Sequence, residues 1–192
     1  MKNLIIYAHP TVPSFSEQVV EKVIETAKAK GDEVIFRDLY KLEFNPVLTG
    51  NDMAALQEGN IPEDIKIEQD FIKEADVLTF IFPIWWADMP AIMKGYIDKV
   101  FSYGFAYLYD ENGPKPLLTD KKVIIISSAG GTKEVYENSG AFESQKNTID
   151  YNKFGFCGFE ILEHKRFYGN PMTTPEKIPA YLDEVEELIK KF

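Results

Sequence analysis

Residues 80–101, FIFPIWWADMPAIMKGYIDKVF, decide how the chain folds. They open on a continuous apolar run, the mark of a strand covered on both faces. A Pro-flanked turn with two adjacent tryptophans follows. Met93, Tyr96, Ile97, Val100 and Phe101 then recur at helical spacing from Pro90, a residue suited to a first helical position. Strand, aromatic turn and helix in this order form half of a parallel βαβ unit, and in open parallel sheets ligands dock beyond the carboxyl ends of the strands. Each indole carries a large apolar surface and one N–H. A flat ligand with hydrogen-bonding edges, such as an isoalloxazine ring, accounts for the turn. So does an arrangement in which one Trp plugs the core and the other covers a loop.

Outward from this unit the alternation continues. Residues 3–8 (NLIIYA) read as the first strand, and Ser14 and Glu17 are spaced as a capping box. A helix bearing Val19, Val20, Val23, Ile24 and Ala27 follows, closed by Gly31. Residues 33–38 are the second strand, 63–75 a helix and 77–82 the third strand. Residues 122–128 form the fourth strand, ahead of a weaker helix over 141–154. Residues 160–168 form the fifth strand, and 175–192 a closing helix capped by Thr174. The connection 39–62 shows turn signals and no clear period, so it is functional or holds short helical pieces. Residues 103–119 are aromatic, then turn-rich. Five strands alternating with helices predict a doubly wound α/β fold, a parallel sheet of order 2-1-3-4-5 in one domain over 1–192. Its carboxyl edge gathers three loops: 9–16, 83–89 and 129–136.

The bulk composition narrows the partners. The chain has 192 residues, with 21 Lys and Arg against 31 Asp and Glu, a net charge of −10. That balance argues against nucleic acid and against an anionic membrane surface. No apolar run approaches the ~20 residues of a membrane span. MKNLIIYAHP is interrupted too early for a signal peptide. A single cysteine, Cys157, sits among Phe154, Phe156 and Phe159 and reads as a buried thiol in a reducing, cytoplasmic setting. No metal site is expected.

The first loop joins His9, Ser14, Phe15 and Ser16 at a helix N-terminus, where amide groups and the helix dipole favour an anion. Plain helix capping by Ser14 and Ser16 is the alternative, and His9 can equally be satisfied by a backbone carbonyl. Neither a G-x-G-x-x-G fingerprint nor a phosphate-binding P-loop is present. In the third loop, Ser128, Ala129, Gly130 and Gly131 let the backbone approach a ligand closely and offer N–H groups to charge developing on it. Tyr136 follows within reach of the same ligand.

The order of these pieces resembles the NAD(P)H:quinone oxidoreductase family. The resemblance rests on Ala8-His9, Ser14-Phe15, Asp38-Leu39-Tyr40, Phe44-Asn45-Pro46 and, most specifically, Phe82-Pro83-x-x-Trp86-x-x-x-Pro90-Ala91-x-x-Lys94-Gly95. Gly104-Phe105-Ala106-Tyr107, Gly130-Gly131, Tyr136 and Cys157-Gly158-Phe159 complete it. It implies a flavodoxin-like homodimer with a flavin at each of two sites built from both chains. NAD(P)H would reduce the flavin by hydride transfer, and a quinone or similar flat acceptor would then take two electrons from the same face.

By the same resemblance His9, Ser14, Phe15 and Ser16 hold the phosphate end. Pro83, Ile84, Trp85, Trp86 and Ala87 line the ring, and Ser128, Ala129, Gly130, Gly131 and Tyr136 meet its other edge, with Gly131 and Tyr136 stabilising the reduced state. Tyr107 and Tyr109 line the partner's pocket, together with Phe142. Many family members carry a His six residues after the Tyr at 136; this chain has Phe142 there, so a Tyr–His relay is not expected. FMN is favoured over FAD by the short chain. Two other classes share the fold, a flavodoxin-type electron carrier and a regulatory subunit of a membrane transporter.

Overall fold

The computed structural model describes residues 1–169 and 174–192. Strands β1 (Lys2–Tyr7), β2 (Glu33–Asp38), β3 (Val77–Pro83), β6 (Lys122–Ser128) and β7 (Glu160–Phe167) form one sheet in the order β2-β1-β3-β6-β7, every pair parallel. This is the 2-1-3-4-5 order of the flavodoxin-like fold. Helices cover both faces because the central strands are apolar on both. Leu4, Ile6 and Ala8 of the first strand segment enter one core with Leu78, Phe80 and Phe82. Ile5 and Tyr7 enter the other with Ile81, Ile124 and Ile126. Successive residues serve opposite faces, as the two-residue period of a strand requires.

The second core is closed by α1 (Phe15–Ala29) and α7 (Ile178–Lys191). The first is closed by α3 (Glu63–Glu74), by α4 (Ala91–Val100) and by residues 146–155. Phe80 is its hub: fully buried, its ring centroid lies 4.8 Å from that of Phe154 and 6.4 Å from those of Tyr96 and Phe101. Cys157 is buried here too, and desolvation pushes its thiol up to about 12. Glu68 of α3 is buried but accepts from Arg37 of β2 at 2.5 Å and from the Tyr96 hydroxyl at 3.3 Å, so its charge is partnered.

Several expectations need correction. Only half of the capping box forms: Ser14 Oγ accepts from the Glu17 amide. Pro90 lies outside α4, with an extended ψ of 149°. The 39–62 connection contains α2 (Gly50–Gln57), whose Thr49–Asp52 capping box is complete and was readable as an S/T-x-x-D signal. It also explains a glycine, since a Cβ on Gly95 of α4 would lie 2.2 Å from the Pro46 carbonyl oxygen. Residues 103–119 hold an antiparallel hairpin, β4 (Tyr107–Asp110) and β5 (Gly113–Pro116). The helix expected over 141–154 is present, as α6 (Ala141–Gln145) running into a π-helical segment Lys146–Gly155, and a short α5 (Lys133–Asn138) that was not expected precedes it. Thr174 makes no capping bond, and a 3₁₀ turn (Pro175–Lys177) precedes α7. Among the described residues, no helix is long and apolar enough to cross a membrane.

Candidate active site

The carboxyl ends of β1, β3 and β6 open into one cavity of about 400 Å³, within the size range of cofactor sites. Its wall is made by His9, Thr11, Pro13, Ser14, Phe15 and Ser16 after β1, by Pro83, Ile84 and Trp85 after β3, and by Ser128, Ala129 and Gly130 after β6. The sheet order makes this convergence: β1, β3 and β6 are its three central strands.

At the β1 side, Ser14 caps α1 by accepting from the Glu17 amide at 3.0 Å, and its Oγ also lies 3.4 Å from the Tyr7 hydroxyl. Burial raises the Tyr7 phenol, so this hydroxyl stays protonated. Helix geometry leaves the earliest first-turn amides without intrahelical acceptors, and a helix N-terminus carries partial positive charge. His9 Nδ1 lies 3.0 Å from the Thr11 carbonyl oxygen, and its ring centroid lies 6.1 Å from that of Trp85. The histidine thus spans the first and second loops.

The β3 loop is a two-residue hairpin turn. Trp85 N–H donates to the Asp88 carbonyl at 2.8 Å and Asp88 N–H returns a bond to Trp85 at 3.1 Å. Trp86 and Ala87 between them have φ of 50° and 65°. Left-handed geometry at two non-glycine residues costs of order 1–2 kcal/mol each, and such strain gathers at functional sites. Trp85 turns into the cavity; Trp86, at the tip, is 100% exposed.

The β6 loop continues the sheet. Ile84 N–H donates to the Ser128 carbonyl at 2.7 Å, Ala129 N–H to Phe167 at 2.8 Å, and Gly169 N–H to Gly131 at 2.8 Å. The two glycines differ. A Cβ on Gly130 would meet no protein atom within 4 Å, whereas one on Gly131 would lie 2.8 Å from the Tyr136 ring. Gly130 therefore opens the wall to the cavity, and Gly131 makes room for the tyrosine.

A ligand that fits this wall has an anionic end for the α1 terminus, a flat apolar body for Ile84 and Trp85, and acceptor atoms for the amides around Gly130. The model of the flavodoxin-like fold family matches residues 1–189. A Haemophilus influenzae protein described as an uncharacterized NAD(P)H oxidoreductase is 38% identical over 168 residues, 87% of this chain and 83% of that one. NAD(P)H dehydrogenase (quinone) 1 of Cavia porcellus is 33% identical over 193 residues, 90% of this chain and 70% of that one. The chain belongs to the NAD(P)H:quinone oxidoreductase family. A solved NAD(P)H:quinone oxidoreductase from Methanothermobacter marburgensis superposes with a TM-score of 0.89 at 30% identity, over 98% of this chain and 97% of that one.

Seven residues expected from the family pattern are not on the cavity wall. Trp86 and Ala87 are carried outward by the tight turn. Gly131 and Tyr136 pack against each other, with the Tyr136 ring 5.4 Å from that of Tyr168. Tyr107 and Tyr109 belong to an edge-to-face ladder with Tyr103, at 5.9 Å per step, and Tyr103 and Tyr109 are both 60% exposed. Phe142 lies under the Arg166 guanidinium at 4.9 Å, in a separate depression of about 690 Å³. There the strand, not the helix after Tyr136, supplies the imidazole: His164 is buried between Asp150 and Ser127. Thr11 and Pro13 were not expected on the wall, though they lie inside the first loop.

Proposed function

We propose that this protein is a flavin-dependent NAD(P)H dehydrogenase that reduces quinones or similar flat acceptors in a two-electron ping-pong cycle. The observation that carries the reading is the convergence of three loops on one cavity with a helix N-terminus at one side and an unfilled glycine wall at another. FMN is the favoured cofactor, FAD the alternative; when bound, the flavin supplies the hydride acceptor for NAD(P)H and the electron pair for the quinone.

The chain binds and orients. Ser14, Ser16 and the first-turn amides of α1 hold the phosphate, with His9 beside them. Trp85 and Ile84 pack on the ring, and excluding water from that contact strengthens every polar interaction near it. The Gly130 and Gly131 amides donate to the ring's oxygen edge, where preorganised donors offset negative charge; the Ala129 amide is already given to the Phe167 carbonyl. Tyr136, packed behind Gly131, would offer its hydroxyl as a hydrogen-bond donor to that edge. Phe142 has no part in this proposal, because it packs beneath Arg166 in the other depression.

The protein acts as a homodimer in this reading. Trp86, Tyr103 and Tyr109 are large aromatics left in water by the single chain, and such side chains are enriched where subunits meet. In the dimer, Tyr107 and Tyr109 of one protomer border the other's cavity, where nicotinamide and quinone take turns.

The purified protein should be yellow, release FMN on denaturation and oxidise NAD(P)H when a quinone is supplied. Colourless protein that neither FMN nor FAD reconstitutes would defeat the proposal. Replacing Tyr136 with Phe should slow flavin reduction by about one to two orders of magnitude, the usual scale for one stabilising group. An unchanged single-turnover rate removes Tyr136 from the mechanism.

A further inference from the structure

The Trp85–Asp88 turn is strained, and its outermost indole packs on nothing in this chain. Its anchor is a side chain far away in sequence. The Asp88 carboxylate accepts from the Met89 amide at 2.8 Å and from Lys153 Nζ through both oxygens, at 3.1 and 3.0 Å. The Lys153 side chain is only 8% exposed, and its third bond goes to the Thr148 carbonyl at 3.3 Å, so all three ammonium donors are used.

Lys153 comes from the π-helical segment 146–155, an irregularity that is rare and gathers at functional sites. Three residues earlier the same segment presents Asp150 to β7. Asp150 Oδ1 lies 2.5 Å from His164 Nδ1, and both carboxylate oxygens accept from Arg166 at 3.3 Å. The end of β7 in turn holds the Ser128–Gly131 loop through the Phe167 and Gly169 backbone bonds. One helix is therefore tied to both loops on the ring side of the cavity, to one by a buried cation and to the other, through β7, by a buried anion.

We propose that the π-helical segment is a positioning clamp for the flavin site, with Lys153 setting the Trp85–Asp88 turn through Asp88 while Asp150 fixes the segment to β7. Stability is a poor explanation for such a pair, since replacing buried ion pairs by apolar groups is often neutral or stabilising. What the pair gives is a defined position for a turn that would otherwise relax out of its left-handed geometry. The inference rests on the flavin reading for its functional consequence, but not for its geometry.

The test uses the full chain with Asp88→Asn, whose side chain is partly exposed, and the double variant Asp88→Asn/Lys153→Met. Three quantities are read: melting temperature, the near-UV circular dichroism of the apoprotein, which reports the paired tryptophans, and FMN affinity by fluorescence titration. The double variant should melt close to the parent, and Asp88→Asn alone, which leaves the buried Lys153 ammonium without its carboxylate, below it. Both should lose most of the tryptophan signal and bind FMN about tenfold more weakly, a change equal to one decade on the affinity scale. Lys153→Arg, which keeps the charge, should restore affinity to within about threefold on that same scale. Variants that keep parental near-UV dichroism and FMN affinity overturn the clamp. So does a loss of FMN binding that only tracks a lowered melting temperature. A parent protein that fails to bind either flavin refutes the flavin reading instead, and the apoprotein spectra still decide whether Lys153 sets the turn.

Discussion

The β6 loop and the β3 turn border the same cavity but are held by different means. Ser128–Gly131 is an extension of the sheet, fixed by backbone bonds from Ile84 to Ser128, from Ala129 to Phe167 and from Gly169 to Gly131. Such bonds come from the backbone and restrict side chains little, apart from Gly131, where a Cβ would meet the Tyr136 ring. The Trp85–Asp88 turn is fixed by a narrow backbone pair in left-handed geometry and by one carboxylate held by a buried lysine. It depends on particular residues, and a change at any of them is felt. A binding site can thus combine a wall that sequence drift leaves in place with one that single substitutions retune.

The largest expected effect removes what the two walls share. β3 leads into the turn and pairs with β6, and Phe80 on it touches Phe154 of the clamp segment. Phe80→Ala should destabilise the chain by about 3–5 kcal/mol, as large-to-small core changes do. Urea denaturation should show both walls lost in one transition. A two-step curve, with tryptophan fluorescence changing first, would show that the turn melts independently.

Next in size is a change that acts on the sheet-built wall alone. A Cβ at Gly130 meets no protein atom, so Gly130→Val should leave stability within about 0.5 kcal/mol, as for ordinary surface changes. Its side chain would occupy cavity space and lower FMN affinity by about two orders of magnitude, close to 3 kcal/mol. If FMN titration gives an unchanged affinity, the flavin does not lie against Gly130.

How much of this was open to reading follows the same division. The apolar strands, the 2-1-3-4-5 order and the three carboxyl-edge loops were legible, because hydrophobic period and turn residues act locally. The Phe44-Asn45-Pro46 and Gly95 motifs were visible as a family pattern, and the structure supplies their reason in one close contact. The π-helical segment was not legible: only Lys146 and Lys153 in it are strong helix formers, and nothing local says that the ladder widens by one residue. Nor was the outward throw of Trp86, since Trp and Ala are poor indicators of a turn that normally carries Asn-Gly. Pairings such as Asp88 with Lys153 and Asp150 with His164 join residues 65 and 14 positions apart, and only the folded chain brings them together.

A smaller effect probes the anion end of the clamp. His164 is buried against Asp150 from the π-helical segment, Ser127 from β6, and Arg166 and Glu163 of its own strand. Desolvation outweighs the Asp150 bond and holds the imidazole below its ordinary value near 6.5. The neutral ring donates from Nδ1 to Asp150 and accepts from Ser127 at Nε2. Above pH 6.5 folded and unfolded chains are both neutral here, and the contribution is complete. As pH falls below that value the unfolded chain takes up a proton that the folded chain resists, so stability drops. Urea midpoints measured between pH 8 and 5 should show this loss, and His164→Gln should flatten it. A midpoint that rises on acidification contradicts the assignment.

The smallest effect separates the two walls at the level of single torsions. Ala87 has a φ of 65°, a region glycine enters without steric cost, so Ala87→Gly removes strain while adding chain entropy to the unfolded state. The strain is the larger quantity for a left-handed residue, so the variant should gain roughly 0.5–1 kcal/mol. At Gly130, where φ is not positive, Gly130→Ala carries no such strain in either direction. Gly130→Ala should gain about 0.4–1 kcal/mol from the lowered entropy of the unfolded chain alone. Stability should therefore rise both on adding glycine to the turn, through relief of strain, and on removing it from the β6 loop, as read by paired urea titrations. The same Ala87→Gly chain should bind FMN slightly less tightly, because a turn that no longer needs holding is also free to take other positions. A gain in both stability and affinity would mean that the left-handed alanine serves no positioning purpose, and the contrast between the two walls would then rest on Asp88 alone.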